Sequence, residues 1–115
     1  MQERYNYKPD NFFNLSEEVI LVTGAAGQLG SCIVNGLIDS NARVVATDTT
    51  IDILEKSAER WEWNKSKVLL KECDITKREN IVSAIEGGNA VYGEITALVA
   101  NTGVGVFEPY LERSE

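Results

Sequence analysis

Val19-Ile20-Leu21-Val22-Thr23-Gly24-Ala25-Ala26-Gly27-Gln28-Leu29-Gly30 decides the fold of this chain. Four apolar residues in unbroken succession read as a strand buried on both faces of a parallel sheet, since a half-exposed strand would alternate apolar and polar positions. Thr23-Gly24 stops it. The glycines at 24, 27 and 30 stand where the chain must turn from strand to helix. Leu29, Ile33, Val34, Leu37 and Ile38 then recur at helical spacing, and Asp39-Ser40-Asn41 supplies a polar stop.

The same alternation continues downstream. Val44-Val45-Ala46 predicts a second buried strand with Asp48 at its carboxyl end. A helix is expected from about residue 51 to 64, with Leu54, Ala58 and Trp61 on one face. Val68-Leu69-Leu70 begins a third strand that ends near Cys73-Asp74. Thr76-Lys77-Arg78-Glu79 has the form of a capping box. It predicts a third helix with Ile81, Val82, Ile85 and Val91 as its inner stripe. Gly87-Gly88 weakens that helix by about 1 kcal/mol per glycine relative to alanine, and close packing would explain the pair. Ile95 to Ala100 is a fourth apolar strand, ended by Asn101-Thr102-Gly103. Short connections suit right-handed crossovers, so the expected architecture is an α/β doubly wound parallel sheet of strand order 3-2-1-4.

Composition agrees with a folded unit. The chain has 115 residues, 43% hydrophobic and 25% charged, with only two prolines, so it is no linker or disordered tail. Residues 1–14 lack either structural period and read as an arm, and 15–115 as one domain without internal boundary or repeat. A net charge of -7 removes the electrostatic footprint of a nucleic-acid binder. No apolar stretch approaches the ~18 residues that span a bilayer. Two cysteines, Cys32 and Cys73, with no histidine and no CxxC, give neither a disulfide framework nor a zinc site. They are expected as buried free thiols, which with the lack of a secretory leader points to the cytoplasm.

The glycine turn carries the chemistry. A side chain at Gly24 would obstruct the turn, one at Gly27 would hold the backbone from a pyrophosphate, and Gly30 lets the helix approach the sheet. The helix N-terminus then faces the anion. Three glycines alone are equally compatible with a bare structural turn. Asp48, eighteen residues after Gly30, shifts the balance because a carboxylate there accepts hydrogen bonds from the adenosine ribose hydroxyls. Asp48 would oppose a 2′-phosphate, and neither Ala26 nor Thr49 supplies a neutralising arginine, so NAD is expected over NADP. Asp74 stands at the end of strand three, where it can meet the adenine edge, lead an Asx turn, or do both.

With these residues in place the sequence resembles the short-chain dehydrogenase/reductase family, from about Leu15 to the last residue. The resemblance rests on TGAAGQLG at Thr23 to Gly30, acidic Asp48, Cys73-Asp74-Ile75-Thr76 in place of the family's D-hydrophobic-T, and Ala100-Asn101-Thr102-Gly103 in place of its NNAG. It implies a Rossmann-like fold. It also implies that Gly24, Gly27, Gln28, Leu29 and Gly30 line the pyrophosphate, that Asp48 with Thr49 meets the ribose, and that Asp74-Ile75 borders the adenine. Asn101, Thr102 and Gly103 would flank the nicotinamide-side ribose. The GxxGxxG spacing is that of the family's extended and some divergent members, whereas the conventional subgroup has GxxxGxG.

The family also uses a Tyr-x-x-x-Lys pair for proton transfer, and this sequence has none: Tyr92 precedes Thr96 and Tyr110 precedes Ser114 at that spacing. No catalytic residue is therefore expected within these 115 residues. The resemblance implies the cofactor-binding first half of an NAD-dependent oxidoreductase, truncated after strand four, acting on a small molecule and inactive alone. An apolar fourth strand at the sheet edge needs cover, which points to a homo-oligomer, the remainder of a longer protein, or aggregation. Two rivals stay open: the first part of an NAD-dependent nucleotide-sugar epimerase or dehydratase, and a non-catalytic dinucleotide-binding module.

Overall fold

A computed structural model of the chain describes residues 14–102, and within them strand and helix alternate without exception. The elements are β1 (Val19–Val22), α1 (Gln28–Asp39), β2 (Arg43–Asp48), α2 (Ile51–Arg60), β3 (Val68–Glu72), α3 (Arg78–Tyr92) and β4 (Ala97–Val99). All three strand pairings are parallel and the order is β3-β2-β1-β4, as the sequence predicts. Every residue of β1 is buried, which is the reason its apolar run is continuous.

Side-chain alternation along the strands divides the core in two. Ile20, Val22, Val44, Ala46 and Val68 point to one face, where they meet Val34 and Ile38 of α1, Leu54 of α2 and Trp63. Val19, Leu21 and Val45 point to the other, where they meet Cys73 and Ala84 of α3. The first cluster holds eleven buried residues and the second five, so most of the apolar stabilisation lies on the α1/α2 face.

Four expectations are corrected. Helix α2 ends at Arg60, four residues early, in a Schellman motif. Trp63 N–H donates to Ala58 O at 3.0 Å and Glu62 N–H to Glu59 O at 3.2 Å, with Glu62 in the left-handed region at φ 52°. The reversal turns Trp63, only 4% exposed, into the core and leaves Trp61 at the surface. Helix α1 closes in the same way at Asn41 (φ 73°), the polar stop the sequence announced.

The capping box does not form. Asp74 Oδ1 takes the Thr76 hydroxyl at 2.6 Å and the Thr76 N–H at 3.0 Å, which commits Thr76 to an Asx turn, and α3 starts after Lys77 without a side-chain cap. The inner face of α3 is also narrower in side-chain size than its large residues suggest. Ala84 and Gly88 are buried and Ile81 and Tyr92 pack against the second cluster, while Val82, Ile85 and Val91 are exposed. Close approach is the cause: a Cβ on Gly88 would lie 2.6 Å from Val45 Cγ2, and one on Gly87 would lie 2.9 Å from Lys71 Cε. The packing reason anticipated for the pair holds at Gly88, whereas at Gly87 the neighbour is the movable end of Lys71. Finally, Cys32 and Leu29 are exposed rather than inward, Leu29 at 65%, and only Cys73 is buried. Gly30 takes the inward position of that first turn instead.

Candidate functional site

The carboxyl ends of β1, β2 and β4 meet at the glycine turn. Gly24 adopts φ +64°, a region that L side chains rarely adopt, and a Cβ there would lie 3.2 Å from Thr102 Cα. A Cβ on Gly30 would overlap the Gly24 carbonyl oxygen and approach Asn101 Nδ2 to 2.8 Å, so the first turn of α1 can only lie this close to β1 with glycine at 30. Gly27 is less enclosed: an added Cβ would press on one backbone atom, Gly24 O at 3.3 Å. The residue is otherwise exposed.

The start of α1 is a cluster of unspent donors. The first N–H groups of any helix lack intrahelical acceptors. Here Gly27 offers no side-chain cap, and the first turn contains no acidic residue that would neutralise the positive end of the helix. The Gly27 N–H turns back to Gly24 O at 3.1 Å, and the next two, on exposed Gln28 and Leu29, have no partner among the described residues. These donors fit an anion of two or more oxygens supplied from outside, as a pyrophosphate is.

Asp48 stands directly beside them. Its Oδ2 accepts the Ala26 N–H at 2.9 Å and its Oδ1 accepts its neighbour Thr49 N–H at 2.8 Å, which fixes the carboxylate at the rim of the turn. Opposite, Thr23 Oγ1 accepts the N–H groups of Asn101 (3.0 Å) and Thr102 (3.3 Å), and Asn101 Nδ2 donates to Gly24 O at 3.3 Å. Five predicted site residues, Gly24, Asp48, Thr49, Asn101 and Thr102, thus take part in these bonds with Thr23 and Ala26, while Gly27 donates its N–H to Gly24 O at 3.1 Å and Gly30 packs against the same oxygen.

Asp74 and Ile75 lie at the end of β3, beyond this network. Ile75 reaches it through an apolar hollow of about 510 Å3 that also takes in Leu21, Ile81, Leu98 and Thr102. The Thr76 hydroxyl and then the Thr76 N–H hold the Asp74 carboxyl below the usual carboxylate range. Its second oxygen is not part of that turn. Burial pushes the neighbouring Cys73 thiol up, and the Asp74 charge adds to the effect, so the thiol stays protonated. Gly103 lies outside the described residues. Thr23, Ala26 and Ser57, whose hydroxyl reaches Ala26 O at 3.2 Å, are participants that sequence reasoning passed over. The threonine adjoining the first glycine was a local signal. Ser57, 31 positions from Ala26, gave none.

The fold and this network define a dinucleotide-binding sheet of the short-chain dehydrogenase type, and the chain belongs to that family: the model for short chain dehydrogenases matches residues 18–115. Among curated relatives, the NAD-dependent glycerol dehydrogenase of Listeria innocua is 33% identical over 99 residues, which cover 86% of this chain and 38% of that protein. The 5-keto-D-gluconate 5-reductase of Escherichia coli K12 is 26% identical over 106 residues, covering 92% and 42%. The chain therefore spans less than half the length of these relatives. Solved structures agree on the fold. A short-chain type dehydrogenase/reductase from Mycobacterium marinum superposes with a TM-score of 0.79 at 22% identity, covering 94% of this chain and 44% of its own. A glucose/ribitol dehydrogenase of the same family from Brucella melitensis gives 0.78 at 22% identity, covering 90% and 43%. Among the described residues no helix is long and apolar enough to cross a membrane, and no group of side chains is arranged to hold a metal ion.

Proposed function

We propose that this chain is the cofactor-binding portion of an NAD(H)-dependent short-chain oxidoreductase whose complete form interconverts an alcohol and a carbonyl by hydride transfer. The observation that carries the reading is Asp48, a carboxylate anchored on the Ala26 N–H at the rim of an uncapped helix start, which would accept from the hydroxyls of an adenosine ribose and repel a 2′-phosphate. The N–H groups of Gln28 and Leu29 would hold the pyrophosphate, with Gly27, whose own N–H turns back to Gly24 O at 3.1 Å, beside it. Asp74 and Ile75 would border the adenine, and Asn101, Thr102 and Gly103 the second ribose. The NAD-dependent relative supports the preference for NAD over NADP.

Turnover requires a proton donor and a substrate pocket, and no Tyr-x-x-x-Lys occurs in these residues, so the chain binds cofactor without catalysis. The oxidoreductase names of the relatives favour hydride transfer over the epimerase or dehydratase reading that the GxxGxxG spacing allows. Two free cysteines suit a reducing cytoplasm. A homo-oligomer or the remainder of the protein would cover the apolar edge at β4.

Calorimetric titration of the folded chain with NAD and with NADP tests the reading. Heat with NAD and a weaker response to NADP is the expected result. A folded sample that gives no heat with either refutes the cofactor assignment.

A further inference from the structure

A loop that receives an anion must present N–H groups to it and turn its carbonyl oxygens elsewhere. In this turn the carbonyls are held away by donors on three different segments. Gly24 O accepts Asn101 Nδ2 at 3.3 Å, Gly27 O accepts the Ser31 hydroxyl at 2.7 Å, and Ala26 O accepts the Ser57 hydroxyl at 3.2 Å. Asn101 follows β4 and Ser31 lies one turn into α1, both beside the glycines. Ser57 comes from the middle of α2. It reaches the one residue of the turn whose N–H grips the Asp48 carboxylate, at 2.9 Å. Ala26 is therefore clamped on both sides, by the acid through its N–H and by the serine through its carbonyl. Ser57 also forms part of a groove of about 410 Å3 that continues past Ala26 between Gln28, Arg60 and Trp61, so the carbonyl it holds borders open space into which it could otherwise rotate.

We propose that Ser57 is a positioning residue for the choice of cofactor: by fixing the Ala26 carbonyl it keeps the Ala26 N–H on Asp48, and so keeps the carboxylate where it grips a ribose diol and opposes a 2′-phosphate. The proposal rests on the dinucleotide reading given above. Ser57 acts through Ala26 and has no contact of its own with the bound molecule. When the hydroxyl is removed, Ala26 is free to turn toward the groove and Asp48 keeps only the bond from Thr49 N–H. Affinity for NAD then falls while the opposition to NADP relaxes.

The test is titration of the full 115-residue chain with NAD and NADP, comparing wild type with Ser57→Ala, Ser57→Thr and Asp48→Asn. The readout is the ratio of the two dissociation constants. A variant that is partly unfolded binds both nucleotides more weakly by the same factor and leaves this ratio unchanged, which separates positioning from lost stability. Loss of one neutral hydrogen bond corresponds to a fall of about fivefold in the preference for NAD. Ser57→Thr, which keeps the hydroxyl, restores it, and Asp48→Asn lowers it further. A wild-type ratio in Ser57→Ala alongside a collapsed ratio in Asp48→Asn overturns this proposal and leaves the cofactor reading standing. A wild type that binds neither nucleotide, or both equally, overturns the two together.

Discussion

The two faces of the sheet are built from the same four strands and are finished to different degrees. On one, α1 and α2 lie side by side and enclose eleven buried residues, among them Leu54 and Trp63. On the other, α3 is the one helix among the described residues that packs against β1, β2 and β3, and next to it Leu98 of β4 is 60% exposed at the wall of the hollow that reaches Ile75. The contrast separates what holds the unit together from what completes it. The glycine turn and Asp48 are supported from the finished face, through α1 and the Ser57 contact, so the proposed phosphate and ribose end of the site rests on the better-packed side. The proposed adenine and nicotinamide ends adjoin the open face. Their final shape depends on whatever packs there.

Substitutions on the two faces should respond unequally. Leu54→Ala removes a fully buried side chain from the finished face and is expected to cost about 2 to 5 kcal/mol in chemical denaturation. A cost under 1 kcal/mol would mean that this face is not the principal core. Gly88→Ala probes the single helix of the open face, where the new methyl group must displace Val45; overpacking of this kind costs about 1 to 3 kcal/mol. Because no second helix among the described residues packs beside α3, it can shift, so a value at the low end is expected. Leu98→Ser, on the exposed edge, should change stability by less than about 0.5 kcal/mol while reducing self-association in sedimentation. A large loss of stability would show that the hollow is already filled.

The smallest effect concerns the acid at the end of β3. The Asp74 carboxyl is held below its unfolded value by the Thr76 hydroxyl and amide, so its contribution is present above that unfolded value, near pH 4, and is lost as pH falls through the lowered one. Asp74→Asn should therefore separate from wild type in denaturation midpoint at pH 7 and converge with it as pH falls through the lowered value. Parallel curves at both pH values would remove the Asx turn from the account.

Most of the architecture was legible because strands buried on both faces leave unbroken apolar runs, and β1 and β2 are of this kind. The glycine turn and Asp48 were legible for a related reason: a positive φ with tight neighbours favours glycine at 24, and close backbone approach leaves no room for a side chain at 30. What escaped was set by competition or by distance. Thr76 carries a valid capping signal, but Asp74, two residues earlier, takes its hydroxyl first. The end of α2 has no glycine to announce it, and Glu62 accepts the left-handed region so that Trp63 can be buried. The inner stripe of α3 was misjudged because large side chains were followed where the contact needs small ones, Ala84 and Gly88. Ser57 belongs to the site only once α2 is laid beside the turn, a relation that local spacing does not contain.

The early end of α2 places two indole rings two residues apart in different surroundings, Trp63 in the first core and Trp61 on the groove that borders Ala26 and Gln28. Nature has thereby installed a pair of optical probes. Emission from the inner ring follows unfolding, whereas that from the outer one is open to acrylamide and shifts when the nearby turn is occupied. Single tryptophan-to-phenylalanine variants would let nucleotide occupancy and melting be read separately in one cuvette, without a label.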